Sequence, residues 1–66
     1  MIEKYRNMRK YTQEEFAEIL EISTRQLQRI ENGESNPSIK TLKNIINILK
    51  MEDNDIATLI KKELKG

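Results

Sequence analysis

Residues 12–33 read TQEEFAEILEISTRQLQRIENG, and their punctuation decides the fold. Thr12-Gln13-Glu14-Glu15 sets a threonine three places before a glutamate. In that pattern the hydroxyl accepts from a helix amide while the carboxylate reaches back to the cap. Ser23-Thr24-Arg25-Gln26 repeats the arrangement eleven residues later. The first helix of the stretch must therefore end near Glu21, and a turn of three or four residues joins it to the second. Asn32-Gly33 stops that second helix, because glycine enters the left-handed conformation without a steric penalty. Phe16, Ala17 and Leu20 share one face of the first helix, and Leu27 and Ile30 one face of the next.

The same reading extends outward to an all-α, five-helix domain. An opening helix runs from Ile2 to Arg9. Pro37-Ser38 starts a fourth helix, with Ser38 as its N-cap and Ile39, Leu42, Ile45, Ile46 and Leu49 at helical spacing. Asp53, Asn54 or Asp55 caps a fifth, over about residues 54–64, whose stripe is Ile56, Leu59, Ile60 and Leu64. Nothing reads as a strand. The 66 residues form a single domain, with the paired helices at about residues 12–32.

Composition excludes more than it selects. With no cysteine and no histidine, disulfides and the usual zinc sites are ruled out. No cofactor and no small-molecule ligand is implied. No apolar run exceeds two residues, far short of the roughly 20 a bilayer demands, and no signal-peptide apolar region is present. No membrane association is expected, and a cytoplasmic location is the default. Catalysis is not expected either. There is no nucleophile–base set, no phosphate-cradling glycine loop, and too little mass for an enclosed pocket.

The net charge of +1 favours no partner by itself, but its distribution is uneven. Residues 1–50 carry nine Lys/Arg against seven Asp/Glu, whereas residues 51–66 carry three against four. Ser23 to Ile30 holds two arginines and no acid. On a wheel at about 100° per residue with Thr24 at zero, Leu27 and Ile30 centre near 270°. Gln28, Arg25 and Arg29 fall near 40°, 100° and 140°, so they point away from the core. Short capped helices joined by a tight turn form a helix-turn-helix, whose second helix enters the DNA major groove. Arginine can fork onto guanine O6 and N7, and glutamine onto adenine N6 and N7. The competing explanation, a merely solvated polar face, is weakened by the two cap signals and the short turn. Tyr5, Tyr11 and Phe16 do not form the aromatic platform of single-strand binders.

With those residues in place, the chain resembles the Cro and phage-repressor type of helix-turn-helix, the lambda-repressor-like family, over about Tyr5 to Met51. The resemblance is carried by Arg6, Thr12-Gln13-Glu14-Glu15-Phe16-Ala17, Leu20, Ile22-Ser23, Leu27, Ile30-Glu31-Asn32-Gly33, Asn36-Pro37-Ser38, Leu42 and Leu49. Two departures stand out. Glu21 occupies the turn position where the family usually has glycine; glutamate can sit there in an ordinary conformation, which leaves the turn geometry open. Lys10 replaces a glycine often found before the second helix. The resemblance implies that Thr24, Arg25, Gln28 and Arg29 face bases, and that Gln13 meets the DNA backbone and braces the recognition helix. It also implies phosphate contacts from Asn32, Asn36 and nearby amides, with Arg9 and Lys40 as further candidates. Arg6 and Glu31 match the family's internal ion pair, which makes Glu31 structural rather than DNA-repelling.

One recognition helix reads only a few base pairs, and repressors of this type pair on half-sites about 34 Å apart. A homodimer is therefore expected, through Met51, Leu59, Ile60 and Leu64, although some of these must also seal the core. The reading that follows is a double-stranded DNA-binding transcription regulator, most simply a phage or bacterial repressor on a palindromic operator. The alternatives are a restriction-system controller, the antitoxin of a toxin pair, the N-terminal part of a longer regulator, or a protein-interaction adaptor without DNA readout.

Overall fold

A computed structural model describes the backbone of residues 1–64 and side chains as far as Lys61. The chain forms five helices: α1 (Ile2–Met8), α2 (Gln13–Leu20), α3 (Thr24–Glu31), α4 (Ile39–Leu49) and α5 (Asp53–Leu64). The caps act where the sequence set them. Thr12 Oγ1 accepts from the Glu15 amide at 3.1 Å, and Glu15 Oε1 accepts from the Thr12 amide at 2.9 Å. Those bonds to Thr12 hold the Glu15 carboxyl below its ordinary value of 4.5. Ser23 Oγ accepts from Gln26 at 3.0 Å, and Ser38 Oγ from Thr41 at 3.2 Å. Only half of the second expected box forms, because the neutral Gln26 amide does not reach back as the Glu15 carboxylate does.

Four helix ends close with one construction. The amide following a left-handed residue reaches back five positions to a carbonyl in the last turn of the helix, and the left-handed residue lets it do so. These bonds are Tyr11 N to Arg6 O (3.1 Å), Ile22 N to Ala17 O (3.0 Å), Glu34 N to Arg29 O (2.8 Å) and Met51 N to Ile46 O (3.2 Å). The left-handed residues are Lys10 (φ 63), Glu21 (φ 61), Gly33 (φ 78) and Lys50 (φ 51). Glu21 thus takes the left-handed conformation that glycine would supply at this turn, not an ordinary one. The turn between α2 and α3 needs positive φ whatever residue sits there, and glutamate is held in it by two backbone bonds.

Phe16, Leu27, Ile45 and Leu49 form the fully buried centre, joined by Ile2, Tyr5, Ala17, Leu20 and Ile30. Tyr11 stacks on Phe16 with ring centroids 5.8 Å apart. The packing of α2 on α3 is the most extensive, and α4 supports it from behind together with α1. The radius of gyration is 10.8 Å, matching the ~11 Å of a well-packed 66-residue domain. Tyr5 fastens α5: its hydroxyl accepts from the Glu52 amide at 3.2 Å and donates to Asp55. The first bond of α5 runs from Ile56 N to Glu52 O at 2.9 Å. Glu52 is therefore the half-in residue, and the expected caps at Asp53, Asn54 or Asp55 lie inside the helix instead.

The fourth and fifth helices bury less of their stripes than their spacing implies. Ile39 is 74% exposed and Ile60 37% exposed, while Met51 and Leu59 are 7% and 4% exposed. Met51 and Leu59 belong to the core, closing it where α5 folds back, so neither is free for the dimer contact expected of them. The Leu64 side chain lies outside the described residues. What remains outside is an apolar groove of about 330 Å³ lined by Asn36, Pro37, Ile39, Leu42, Lys43, Ile46 and Ile60. No helix among the described residues is long and apolar enough to cross a membrane, and no three Asp or Glu side chains there cluster so as to hold a metal ion.

Candidate nucleic-acid interface

The outer face of α3 starts from a helix with a sharply one-sided sequence. Leu27 and Ile30 are buried, and Arg25, Gln28 and Arg29 stand exposed, with Thr24 half-buried at the helix start. Arg25, Gln28, Arg29, Asn32 and Glu34 line one open depression. Among the described residues the only ion pair is that of Arg6 with Glu31. The Arg25 and Arg29 guanidiniums thus carry uncompensated positive charge at the surface, ready to meet an anion.

Behind that face lies a run of polar contacts linking three helices. Arg6 Nε donates to Glu31 Oε2 at 2.7 Å, with side-chain exposures of 8% and 1%. Its Nη1 donates to the Tyr11 carbonyl at 2.9 Å. Glu31 Oε1 accepts from Gln13 Nε2 at 3.0 Å, and Gln13 Oε1 accepts from Gln28 Nε2 at 3.2 Å. Family resemblance suggests both the pairing of Arg6 with Glu31 and a bracing role for Gln13; the particular bonds of Gln13, to Glu31 and to Gln28, have no local signal. They join residues 15 and 18 apart in the chain, and only the crossing of α2 over α3 brings them together.

The remaining candidates divide. Asn36 and Lys40 are exposed at the entry to α4, and Asn32 is exposed beyond α3, its amide nitrogen 3.4 Å from Glu34 Oε2. Arg9 is drawn elsewhere. Its Nε donates to the Leu49 carbonyl at 2.8 Å and its Nη2 to Lys50 at 3.3 Å. It closes the C-terminal end of α4, while Lys40 sits at the start of that eleven-residue helix, ~15 Å away at 1.5 Å per residue. At the C-terminal end the Arg9 cation satisfies orphan carbonyls and favours the helix dipole. Glu34 is the residue that the sequence reading missed, an exposed acid on the rim beside Arg25 and Arg29.

Two short helices crossing through a three-residue turn, with the second presenting a basic outer face, define a helix-turn-helix protein. The family model described as "Helix-turn-helix" matches residues 2–56, most of the chain. The protein belongs to that family, the lambda-repressor and Cro-like helix-turn-helix proteins, a family of DNA-binding transcription regulators. No curated protein and no solved structure matches the chain.

Proposed function

We propose that the protein is a sequence-specific repressor that occupies a palindromic operator in double-stranded DNA as a homodimer. The observation carrying this reading is the α3 face itself: Arg25, Gln28 and Arg29 exposed on one side, with neither arginine paired to an acid among the described residues. In this proposal Thr24, Arg25, Gln28 and Arg29 meet base edges. Arg25 and Arg29 are one turn apart, a rise of about 6 Å, and so address base pairs roughly two steps apart at ~3.4 Å per step. Gln13, Asn32, Asn36 and Lys40 meet phosphates, which fix register without reading sequence. Repression is steric occupation of a promoter-proximal site in the bacterial cytoplasm or on a phage genome.

Selection of bound duplexes from a random pool at physiological salt tests the proposal. The expected result is a palindromic consensus whose half-sites are centred about 34 Å apart. Arg25→Glu combined with Arg29→Glu is expected to abolish enrichment, and single substitutions to flatten the salt dependence. Absence of any enriched sequence would reject the reading. The exposed Ile39 and Ile60 favour a second, adaptor-type reading in which that apolar surface binds another protein. An adaptor would tolerate the double charge reversal, and a DNA-binding regulator would not.

A further inference from the structure

Helices α2, α3 and α4 each begin on a side-chain cap, from Thr12, Ser23 and Ser38. The break between α4 and α5 has no such local cause. No glycine or proline lies between Ser38 and Leu64, and among the described residues no side chain of Lys50, Met51 or Glu52 caps the first turn of α5. The break is held from α1 instead. Arg9 Nε donates to the Leu49 carbonyl at 2.8 Å and Nη2 to the Lys50 carbonyl at 3.3 Å, while the Tyr5 hydroxyl accepts from the Glu52 amide at 3.2 Å. In an uninterrupted helix those same three backbone groups would bond Asp53, Asn54 and Ile48. Tyr5 and Arg9, one turn apart along α1, thus replace the helical bonds that the corner breaks.

Lys50 completes the corner at φ 51 and ψ 53, a left-handed conformation that an L-residue enters at a steric cost. Returned to the right-handed region, it would let α4 and α5 run on as one helix over 39–64, about 39 Å long at 1.5 Å per residue. That exceeds the 27 Å longest extent of the domain, so α5 would leave its own body. If a second copy opened likewise, Ile56 and Leu59 of each α5 would fill the seat vacated in the other. Only the contacts of the corner would change. A short, strained hinge favours such an exchange. Asp53 and Asp55 oppose it, because they would lose the favourable field of a helix N-terminus. With these effects opposed, the bonds from α1 decide. We propose that the α4–α5 corner is a conditional break through which two copies of the chain exchange α5, and that Arg9 and Tyr5 are the latch that keeps it shut. The inference rests on the fold and not on the DNA-binding reading, and it differs from pairing by surface contact, which leaves the corner intact.

The test uses the full chain without DNA, held at high concentration and followed by sedimentation and residue-resolved amide hydrogen exchange. With the corner closed, the first bond of α5 starts at Ile56, so the amides of Asp53 and Asn54 have no helical partner. In the fused helix they bond Leu49 and Lys50. A dimer is expected in which both amides exchange at least about tenfold more slowly than in the monomer. Lys50→Gly, which suits the corner and weakens a helix, is expected to lower the dimer association constant at least about tenfold. Arg9→Ala, which opens the latch, is expected to raise it by at least about tenfold, since each dimer contains two corners. Tyr5→Phe should act in the same direction as Arg9→Ala. Lys50 and Arg9 are exposed, so neither of their variants touches the core. A dimer whose Asp53 and Asn54 amides exchange as fast as the monomer's would overturn the inference. So would an association constant that Lys50→Gly and Arg9→Ala leave unchanged, or wild-type and Arg9→Ala proteins that stay monomeric at every concentration. None of these results bears on DNA binding, and failure to enrich any duplex would reject the proposed function while leaving the exchange of α5 standing.

Discussion

Arg6 and Glu31 meet at 2.7 Å with almost no solvent access, tying α1 to the last turn of α3. Removing either partner leaves a charge stranded in a dry site. Arg6→Ala or Glu31→Ala is expected to lose about 3–5 kcal/mol, most of the stability of so small a domain. Replacing both by methionine removes the stranded charge, so the double variant is expected to be far more stable than either single one. Urea melts of the four proteins check this. Additive losses would show that the two side chains are not coupled.

Lys10, Glu21 and Lys50 adopt φ of 63, 61 and 51. The left-handed conformation costs an L-residue roughly 1–2 kcal/mol, and glycine avoids this while surrendering about 0.5–1 kcal/mol of chain entropy. Each substitution to glycine is therefore expected to stabilise by about 0.5–1 kcal/mol. Gly33→Ala, at φ 78 with open space around a built Cβ, is expected to destabilise through backbone strain alone. Thermal melts resolve such changes, since 1 kcal/mol moves the midpoint by about 4–8 °C in a domain of this size. A lower midpoint for Glu21→Gly would contradict the turn geometry.

These positions also show what a sequence conveys and what it hides. Thr12, Ser23 and Ser38 were legible as caps because capping is local chemistry within four residues. Phe16, Leu27 and Leu49 were legible as core because helical spacing puts them on one face. The left-handed Glu21 was hidden, since nothing about glutamate announces positive φ; the turn imposes it. Leu59 and Ile60 illustrate a second limit. They are neighbours on one amphipathic helix, yet one is 4% and the other 37% exposed, and only the docking angle of α5 decides which faces in. The outward-facing Arg25, Gln28 and Arg29 of α3 are readable from the wheel, whereas the particular bonds of Gln13 to Glu31 and Gln28 form only where two helices cross.

The Tyr5 hydroxyl joins the start of α5 to α1, and Asp55 raises its pKa by accepting its proton in a hydrogen bond. A raised folded-state value means that the neutral phenol stabilises the fold fully below pH 10.0, its ordinary value. That contribution is lost as pH rises through the higher folded value. Glu15 behaves oppositely: its lowered value gives a contribution present above pH 4.5 and lost as the carboxyl is protonated at lower pH. Tyr5→Phe is expected to lower stability by removing the hydroxyl that ties Glu52 and Asp55 to α1, and to remove the alkaline part of the stability profile. Melts between pH 7 and 11 check the sign.

Glu34 stands on the rim of the depression that holds Arg25 and Arg29. A carboxylate within a Debye length of about 8 Å of a phosphate backbone at physiological salt opposes binding. It carries no buried contact whose loss would disturb the fold, only the 3.4 Å approach from Asn32. Glu34→Gln is expected to raise affinity for all duplexes alike by roughly two- to fivefold at low salt, the gain shrinking as salt is added. It is not expected to alter the selected consensus. A uniform gain identifies Glu34 as an electrostatic brake on non-specific binding; a change confined to one base pair would instead place its side chain in the groove.

Ile39 and Ile60 flank the same apolar groove, and a symmetric dimer would cover them. Because Ile39 is 74% exposed, Ile39→Asp removes no core contact and is expected to leave the monomer's stability within about 0.5 kcal/mol. Burying the new charge in an interface without a partner is costly, so dimerisation is expected to weaken by at least tenfold, equivalent to about 1.4 kcal/mol. Binding to a full palindrome should then fall toward that of a single half-site, while half-site affinity stays unchanged. Sedimentation equilibrium with and without operator separates these effects. Wild-type protein that remains monomeric on the palindrome would remove the dimer from the proposal. An Ile39→Asp variant that dimerises normally would move the interface to another surface.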